Sequence, residues 1–293
     1  FKSNMLIAST ALLLGAAALP TLSFAAVHPR GYVRSENNST LGGTIPVAKI
    51  TLDDIKNAPS SIDWSAGGNL AITNVKDQGN CGSCWAFSTI ETVESALYLA
   101  GVFDGPTALS TEELVDCVRG SGCRGGDITT GVDYLVKKGV VLAESYPDTS
   151  SNSRPAKKSS CQIKEKEIAA KISGRKFAVP ECRAGDCSKQ DEEALAAALA
   201  KYGPIAICIN SGYDQVGDWD DYEGGVLKGT CRAKADDVDH CVQLVGYDKL
   251  AATPYWKIRN SWGKDWGEDG FIRIPYGDGN KCCVACEAVI VEV

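Results

Sequence analysis

An α+β architecture of two lobes, one helical and one mostly strand, is what this 293-residue sequence predicts. Three observations carry that reading. Apolar residues recur at three- and four-residue spacing at Ala86, Ile90, Val93 and Leu97, and further helical stretches follow in the first half. The second half instead breaks into short apolar or alternating runs punctuated by glycine and proline. Hydrophobic residues make up 44% of the chain and aromatics 8%, enough to bury a substantial core in one or two domains. A cleft between two such lobes is a natural ligand site.

In chain order, Met5 to Leu19 is an apolar run ended by Pro20 and followed by Ser23-Phe24-Ala25. Residues 1–25 therefore read as a secretory signal, the run being shorter than the roughly 20 residues a membrane span requires. The chain opens on Phe1, so a start at Met5 and a truncation upstream both stay open. Residues 26–58 are polar and irregular, a short pro-segment or linker with overlapping sequons at Asn37 and Asn38. Gln78 to Phe87 (QGNCGSCWAF) enters the first helix of the body, with Ser83 placed to cap it. Ser110 and Glu113 fit a capping box, and Asp127 to Lys138 reads as a helix closed by Gly139. Ser188 to Tyr202 reads as an alanine-rich helix stopped by Gly203-Pro204. Strands are expected at Ile205–Ile209, Cys241–Tyr247, Tyr255–Arg259, Phe271–Ile274 and Ala288–Val293. The body is residues 59–293, divided into a helical lobe over about 65–170 and a β lobe over about 171–293.

Charge narrows the function. Thirty basic against 37 acidic side chains give a net charge of −7, with no basic run dense enough to track phosphates, so nucleic acid is not an expected partner. Thirteen cysteines beside only two histidines point to disulfides in an oxidising compartment rather than to zinc. No metal or cofactor is expected.

The chemistry centres on Cys84. A thiol at a helix start feels roughly half a positive charge, and such fields bring cysteine pKa values down to about 3.5 to 7.5. His240, the one histidine after Ala58, opens an expected strand in the other lobe and is the available base. Asn260, just ahead of Ser261-Trp262-Gly263, is placed to orient that imidazole, and Trp262 to cover the hydrogen bond from water. The Gln78 side chain and the Cys84 backbone N–H would supply two oxyanion donors. Taken singly these residues are weakly specific: a lone histidine is usually structural, and Gln78 could be a solvated loop residue.

Jointly they are specific. QGNCGSCWAF, GCRGG (Gly122–Gly126), DHCVQLVGY (Asp239–Tyr247) and WKIRNSWGKDWGEDGF (Trp256–Phe271) resemble the papain family of cysteine proteases over about residues 59–293. The resemblance implies a two-lobed papain-like fold whose β lobe is antiparallel and barrel-like, and peptide hydrolysis through an acyl-enzyme. It gives Cys84 as nucleophile, His240 as base, Asn260 as orienter and Gln78 as oxyanion donor. It implies disulfides Cys81–Cys123, Cys117–Cys161 and Cys231–Cys282. Cys182 with Cys187 would close a small loop, Cys208 with Cys241 is a further candidate pair, and the pairing of Cys283 and Cys286 stays open.

Gly125 and Gly126 should present backbone to a bound peptide. Glu287 should fall near the floor of the pocket for the second residue before the cut, accepting basic as well as apolar side chains; the alternative is a surface glutamate with the alignment off by one. The body has no inserted histidines to block the cleft, so endopeptidase action on protein or peptide substrates is expected. Cystatin-like inhibitors, a monomeric state and delivery outside the cell or to a lysosome or vacuole follow from the same resemblance. Relatives carry a longer helical pro-domain that fills the cleft; here only about 33 residues separate the signal from the body, so latency is open, and Thr51–Ile55 (TLDDI) is either the stretch that enters the cleft or linker. Two rival readings remain: a thiol–disulfide oxidoreductase built on Cys81-Gly82-Ser83-Cys84, and a non-catalytic papain-like binding protein.

Overall fold

The computed structural model describes residues 28–35, 44–153, 157–163, 167–212 and 219–293. The apolar run at 5–19 and the sequons at Asn37 and Asn38 lie outside the described residues. Helix α1 (Leu52–Asn57) and strand β1 (Ser61–Asp63) precede the helical lobe, which is built from α2 (Cys84–Leu99), α3 (Thr111–Cys117) and α4 (Ile128–Lys138). The short strands β2 (Val140–Val141) and β3 (Ile168–Ala170) pair with each other. The β lobe follows with β4 (Gly174–Phe177), α5 (Glu192–Tyr202), β5 (Ile205–Ile209), β6 (His240–Asp248), β7 (Tyr255–Arg259), β8 (Phe271–Pro275) and β9 (Glu287–Glu292). Its sheet runs β4-β9-β5-β6-β7-β8, with β1 also on β6, and every pairing is antiparallel.

The period of two along β5, β6 and β9 divides the interior. Ile205, Ile207, Ile209, Val242, Leu244, Ala288 and Ile290 face a core shared with α5, Trp219 and Trp256. Ala206, Cys208, Cys241, Val289 and Val291 face the other way, into a core with α2, α3 and α4. Both faces of these strands are buried, which is why their sequences read as unbroken apolar runs.

Helix α2 is buried nearly all round, so its polar residues need internal partners. Glu91 Oε1 accepts from Arg259 Nη2 at 2.8 Å between side chains at most 1% exposed, which ties α2 to β7. Ser88 Oγ donates to Val242 O at 2.7 Å, and Gln243 Nε2 donates to Glu91 O at 2.8 Å. This register sets the first turn of α2 against the start of β6.

Several local expectations need correcting. Ser83 makes no capping bond to α2; its hydroxyl turns back toward Cys81 O at 3.4 Å. Ser110 does accept from Glu113 N, but the Glu113 carboxylate accepts from Val141 N instead of closing the box, because the Ser110 amide is already bonded to Val141 O. Helix α5 starts at Glu192 with Asp191 as cap, since Asp186 holds Ser188 in a preceding turn. Thr51 to Ile55 does not enter the cleft: Thr51 caps α1, which lies on α5 with Lys201 on Asp54 at 3.1 Å. The described part of residues 26–58 is not free linker either. Residues 46–48 run beside β4, with Phe177 N donating to Pro46 O at 2.8 Å and Ala48 N to Phe177 O at 2.7 Å, and residues 28–35 cross the cleft.

Candidate active site

Cys84 is the first residue of α2 and has no exposed surface. It is the one free cysteine; the other twelve form disulfides Cys81–Cys123, Cys117–Cys161, Cys182–Cys187, Cys208–Cys241, Cys231–Cys282 and Cys283–Cys286. The sulfurs of Cys187, Cys283 and Cys286 lie within 4.8 Å of one another, but all three are in disulfides and offer no thiolate to a metal.

His240, at the head of β6, places Nε2 at 2.8 Å from Asn260 Oδ1. The Ser261 backbone N–H also donates to that Oδ1 at 2.8 Å, so the oxygen is an acceptor twice over and the imidazole proton sits on Nε2. His240 Nδ1 is left as the basic nitrogen, buried and without a hydrogen-bond partner among the described residues. Trp262 stacks on the ring at 4.8 Å and 30°, and Trp219 meets it edge-on at 6.1 Å. Both tryptophans exclude water from the His240–Asn260 bond. The backbone N–H groups of Cys241, next to His240, of Gly31 and of Trp85 lie close enough to the Cys84 sulfur to favour its thiolate.

Gln78 is fully buried. Its Oε1 accepts from Ser261 Oγ at 2.7 Å, which turns Nε2 toward the cleft, where it donates to Pro29 O at 2.8 Å and Cys81 O at 3.0 Å. Ser261 is thus a positioning residue twice, through its amide on Asn260 and its hydroxyl on Gln78. Its place inside the Asn-Ser-Trp triplet was the only signal in the sequence.

Residues 28–35 fill the groove in front of these groups. Val33 N donates to Gly126 O at 2.9 Å and Gly126 N to Gly31 O at 3.0 Å, a parallel bridge centred on Tyr32. The Tyr32 hydroxyl donates to the buried Glu287 carboxylate and accepts from Arg34 Nε at 2.7 Å. Gly31 has room for no side chain: a Cβ there would fall 1.9 Å from Gly82 O. Gly126 is equally constrained, a Cβ meeting the Trp85 ring at 2.5 Å. At the other end His28 stacks on Trp262 at 4.5 Å. None of this was legible beforehand, because an extended segment bonded to a groove has no periodicity of its own.

Covering the site inverts the expected electrostatics. Burial pushes the Cys84 thiol up to about 12, against the opposing pull of the three backbone N–H groups, and Asp239 adds to the rise. Burial also brings His240 down to about 3, despite the Asn260 bond that favours its charged form. The low thiol pKa expected from the helix start does not hold here: desolvation outweighs the dipole, and thiol and imidazole are both neutral. Glu287 is likewise held well above the usual carboxylate range by burial and by the nearby Asp127 charge.

A family model for papain family cysteine proteases matches residues 58–292. The chain belongs to the papain family. It is 41% identical over 229 residues to a cysteine proteinase of Trypanosoma brucei brucei, covering 77% of this chain and 45% of that protein. It is 36% identical over 244 residues to vignain of Ricinus communis, covering 80% and 61%. The chain spans about half the length of the trypanosome relative. Among solved structures, digestive procathepsin L2 proteinase from Tenebrio molitor larval midgut superposes with a TM-score of 0.75 at 29% identity, over 91% of this chain and 78% of that one. A recombinant stem bromelain precursor gives 0.72 at 30%, over 85% and 75%. As in that family's fold, two lobes face each other across the cleft, and the oxidoreductase reading loses its footing. Cys81 is bonded to Cys123, and the approach to α2 is no strand of a parallel sheet.

Proposed function

We propose that this chain is a cysteine endopeptidase held latent by its own residues 28–35. The observation that carries the reading is the Pro29 carbonyl on Gln78 Nε2, directly before Cys84 and His240, where a substrate carbonyl would sit during attack. In the open site the Cys84 thiol gives its proton to His240 Nδ1, and the sulfur bonds to the substrate carbonyl carbon. Gln78 and the Cys84 backbone N–H hold the oxyanion. The C–N bond then breaks as His240 returns the proton to the leaving amine, and water hydrolyses the thioester. Asn260 keeps the ring in register throughout.

The bound segment resists this chemistry through its direction. A substrate runs from the Glu287 pocket, before the cut, toward His240 and Trp262, where the amine leaves. Residues 28–35 run the other way, from Trp262 at His28 to Glu287 at Tyr32, so no peptide bond of theirs is presented correctly. Residues 59–293 form the peptidase body, with lobes dividing near residue 170, and residues 1–25 act as the secretory signal. The protein works as a monomer on protein or peptide substrates, secreted or in a lysosome or vacuole, and the same cleft admits cystatin-like inhibitors. Among the described residues no helix is long and apolar enough to cross a membrane.

The test is hydrolysis of a Phe-Arg reporter peptide by the full chain and by its Gly31→Val variant, whose side chain cannot fit beside Gly82. Hydrolysis by the variant that far exceeds that of the parent chain supports the reading; equal rates, or none by either protein, reject it. The Tyr32 contact also bears on specificity. A carboxylate that receives a phenol beside an arginine offers one pocket for apolar and for basic side chains. In the Gly31→Val background, Glu287→Ala should lower the Arg-Arg to Phe-Arg rate ratio about tenfold. An unchanged ratio would mean that Glu287 takes no part in recognition.

A further inference from the structure

The other end of the bound segment marks a site on the leaving-group side of the cleft. Arg30 extends from the residue beside Gly31, and its guanidinium is 5.0 Å from the Trp262 ring centre. Nη2 donates to Asp220 Oδ2 at 2.8 Å, Nε donates to Ser211 Oγ at 3.0 Å, and Nη1 donates to His28 O at 2.9 Å. Two of these three partners belong to the body.

Both body partners sit on backbone that the body itself anchors, and the Asp220 carboxylate also accepts from His28 N at 3.4 Å. Ser211 is fully buried, and its amide donates to Asp239 Oδ1 at 2.8 Å, one residue before His240. Asp220 follows Trp219, which is fully buried, stacked on Trp266 at 5.9 Å and bonded through its carbonyl to Trp266 Nε1 at 3.0 Å. The Asp220 side chain stays 24% exposed, so a chain in the cleft can reach it. A carboxylate, a hydroxyl and an indole face match the fork and the flat face of a guanidinium better than the point charge of an ammonium.

We infer that Asp220 and Ser211, with the Trp262 ring, form an anionic subsite that selects arginine within the two residues after the cut. This rests on the endopeptidase reading, because only that reading makes the His240–Trp262 end the leaving-group side. The subsite is separate from the Glu287 pocket, so a substrate with basic residues on both sides of the cut would engage both carboxylates.

The test uses the full chain carrying Gly31→Val and quenched peptides identical before the cut, with Arg, Lys, Ala or Glu at the first or the second residue after it. At one of these positions kcat/KM should favour Arg over Ala about tenfold, with Lys between them and Glu lowest. Asp220→Asn should bring the Arg to Ala ratio below about two. Binding of the same peptides to the chain carrying Gly31→Val and Cys84→Ser, followed by fluorescence anisotropy, reads the subsite without turnover. Cleavage with an Arg to Ala ratio that Asp220→Asn leaves unchanged overturns the subsite and leaves the peptidase reading intact. Absence of cleavage with Asp220-dependent preference for the Arg peptide in binding keeps Asp220 as an arginine-binding group but overturns the peptidase reading and, with it, the subsite's place after a cut. Absence of both overturns both.

Discussion

Placing valine at Gly31 is expected to raise the reactivity of Cys84 toward iodoacetamide at pH 7 by about a hundredfold or more. Only the thiolate reacts. In the covered site the thiol pKa stands at about 12 because burial disfavours the anion, so at pH 7 about one molecule in 10⁵ carries it. A Cβ at position 31 would lie 1.9 Å from Gly82 O and 2.3 Å from Gly82 C, both backbone atoms that cannot step aside, so the segment must leave the groove. Water then enters, the desolvation that dominates the shift is relieved, and the helix start, with the Trp85 and Cys241 backbone N–H groups that stay behind when Gly31 leaves, pulls the pKa toward the range of about 3.5 to 7.5 found for activated cysteines. Thiolate population rises about 10⁴-fold, and the lower nucleophilicity of a less basic thiolate takes back about half of that on a logarithmic scale. Access to the reagent adds to the remainder. The sign is testable through pH: alkylation of the variant should level off below pH 8, whereas in the parent chain it should keep climbing through pH 10. Superimposable profiles would show that the segment does not control the thiol.

Replacing His240 by alanine in the same open background is expected to lower kcat/KM for a Phe-Arg reporter by about 10³- to 10⁴-fold. With Nε2 committed to Asn260, Nδ1 is the one ring nitrogen able to take the thiol proton and return it to the leaving amine. No other imidazole can substitute once the segment has left, because the chain's second histidine, His28, leaves with it. Asn260→Ala should cost less, since the ring remains but turns freely. Steady-state kinetics on the three proteins gives the ranking, and equal losses at the two positions would deny Asn260 a merely orienting role.

Much of the site was legible in the sequence because its residues sit in elements that announce themselves. Cys84 begins a helix with regular apolar spacing, and His240 and Asn260 lie at the end of a strand and just beyond one, each marked by alternation or an apolar run. Their distances depend on how α2 lies along β6, and that register is set by Ser88, Glu91 and Gln243, whose polar contacts between lobes leave no periodic trace. The charge state was not legible either. A helix start argues for a thiolate, but burial depends on what covers the site, and the covering strand of Pro29 to Val33 bonds to a groove rather than to a neighbouring strand. For the same reason TLDDI drew attention as a stretch for the cleft, while PRGYV carried no mark in the sequence. Only the fit of Gly31 against Gly82 and of Tyr32 on Glu287 distinguishes them.

The most direct measurement is covalent labelling with a peptidyl epoxide or vinyl sulfone, with the modified residue located by mass spectrometry. The full chain should label slowly, its Gly31→Val variant rapidly and at Cys84 alone, and the variant also carrying Cys84→Ser not at all. Labelling that persists after Cys84→Ser, or equal rates for the parent chain and its Gly31→Val variant, would contradict a latent peptidase whose nucleophile is Cys84.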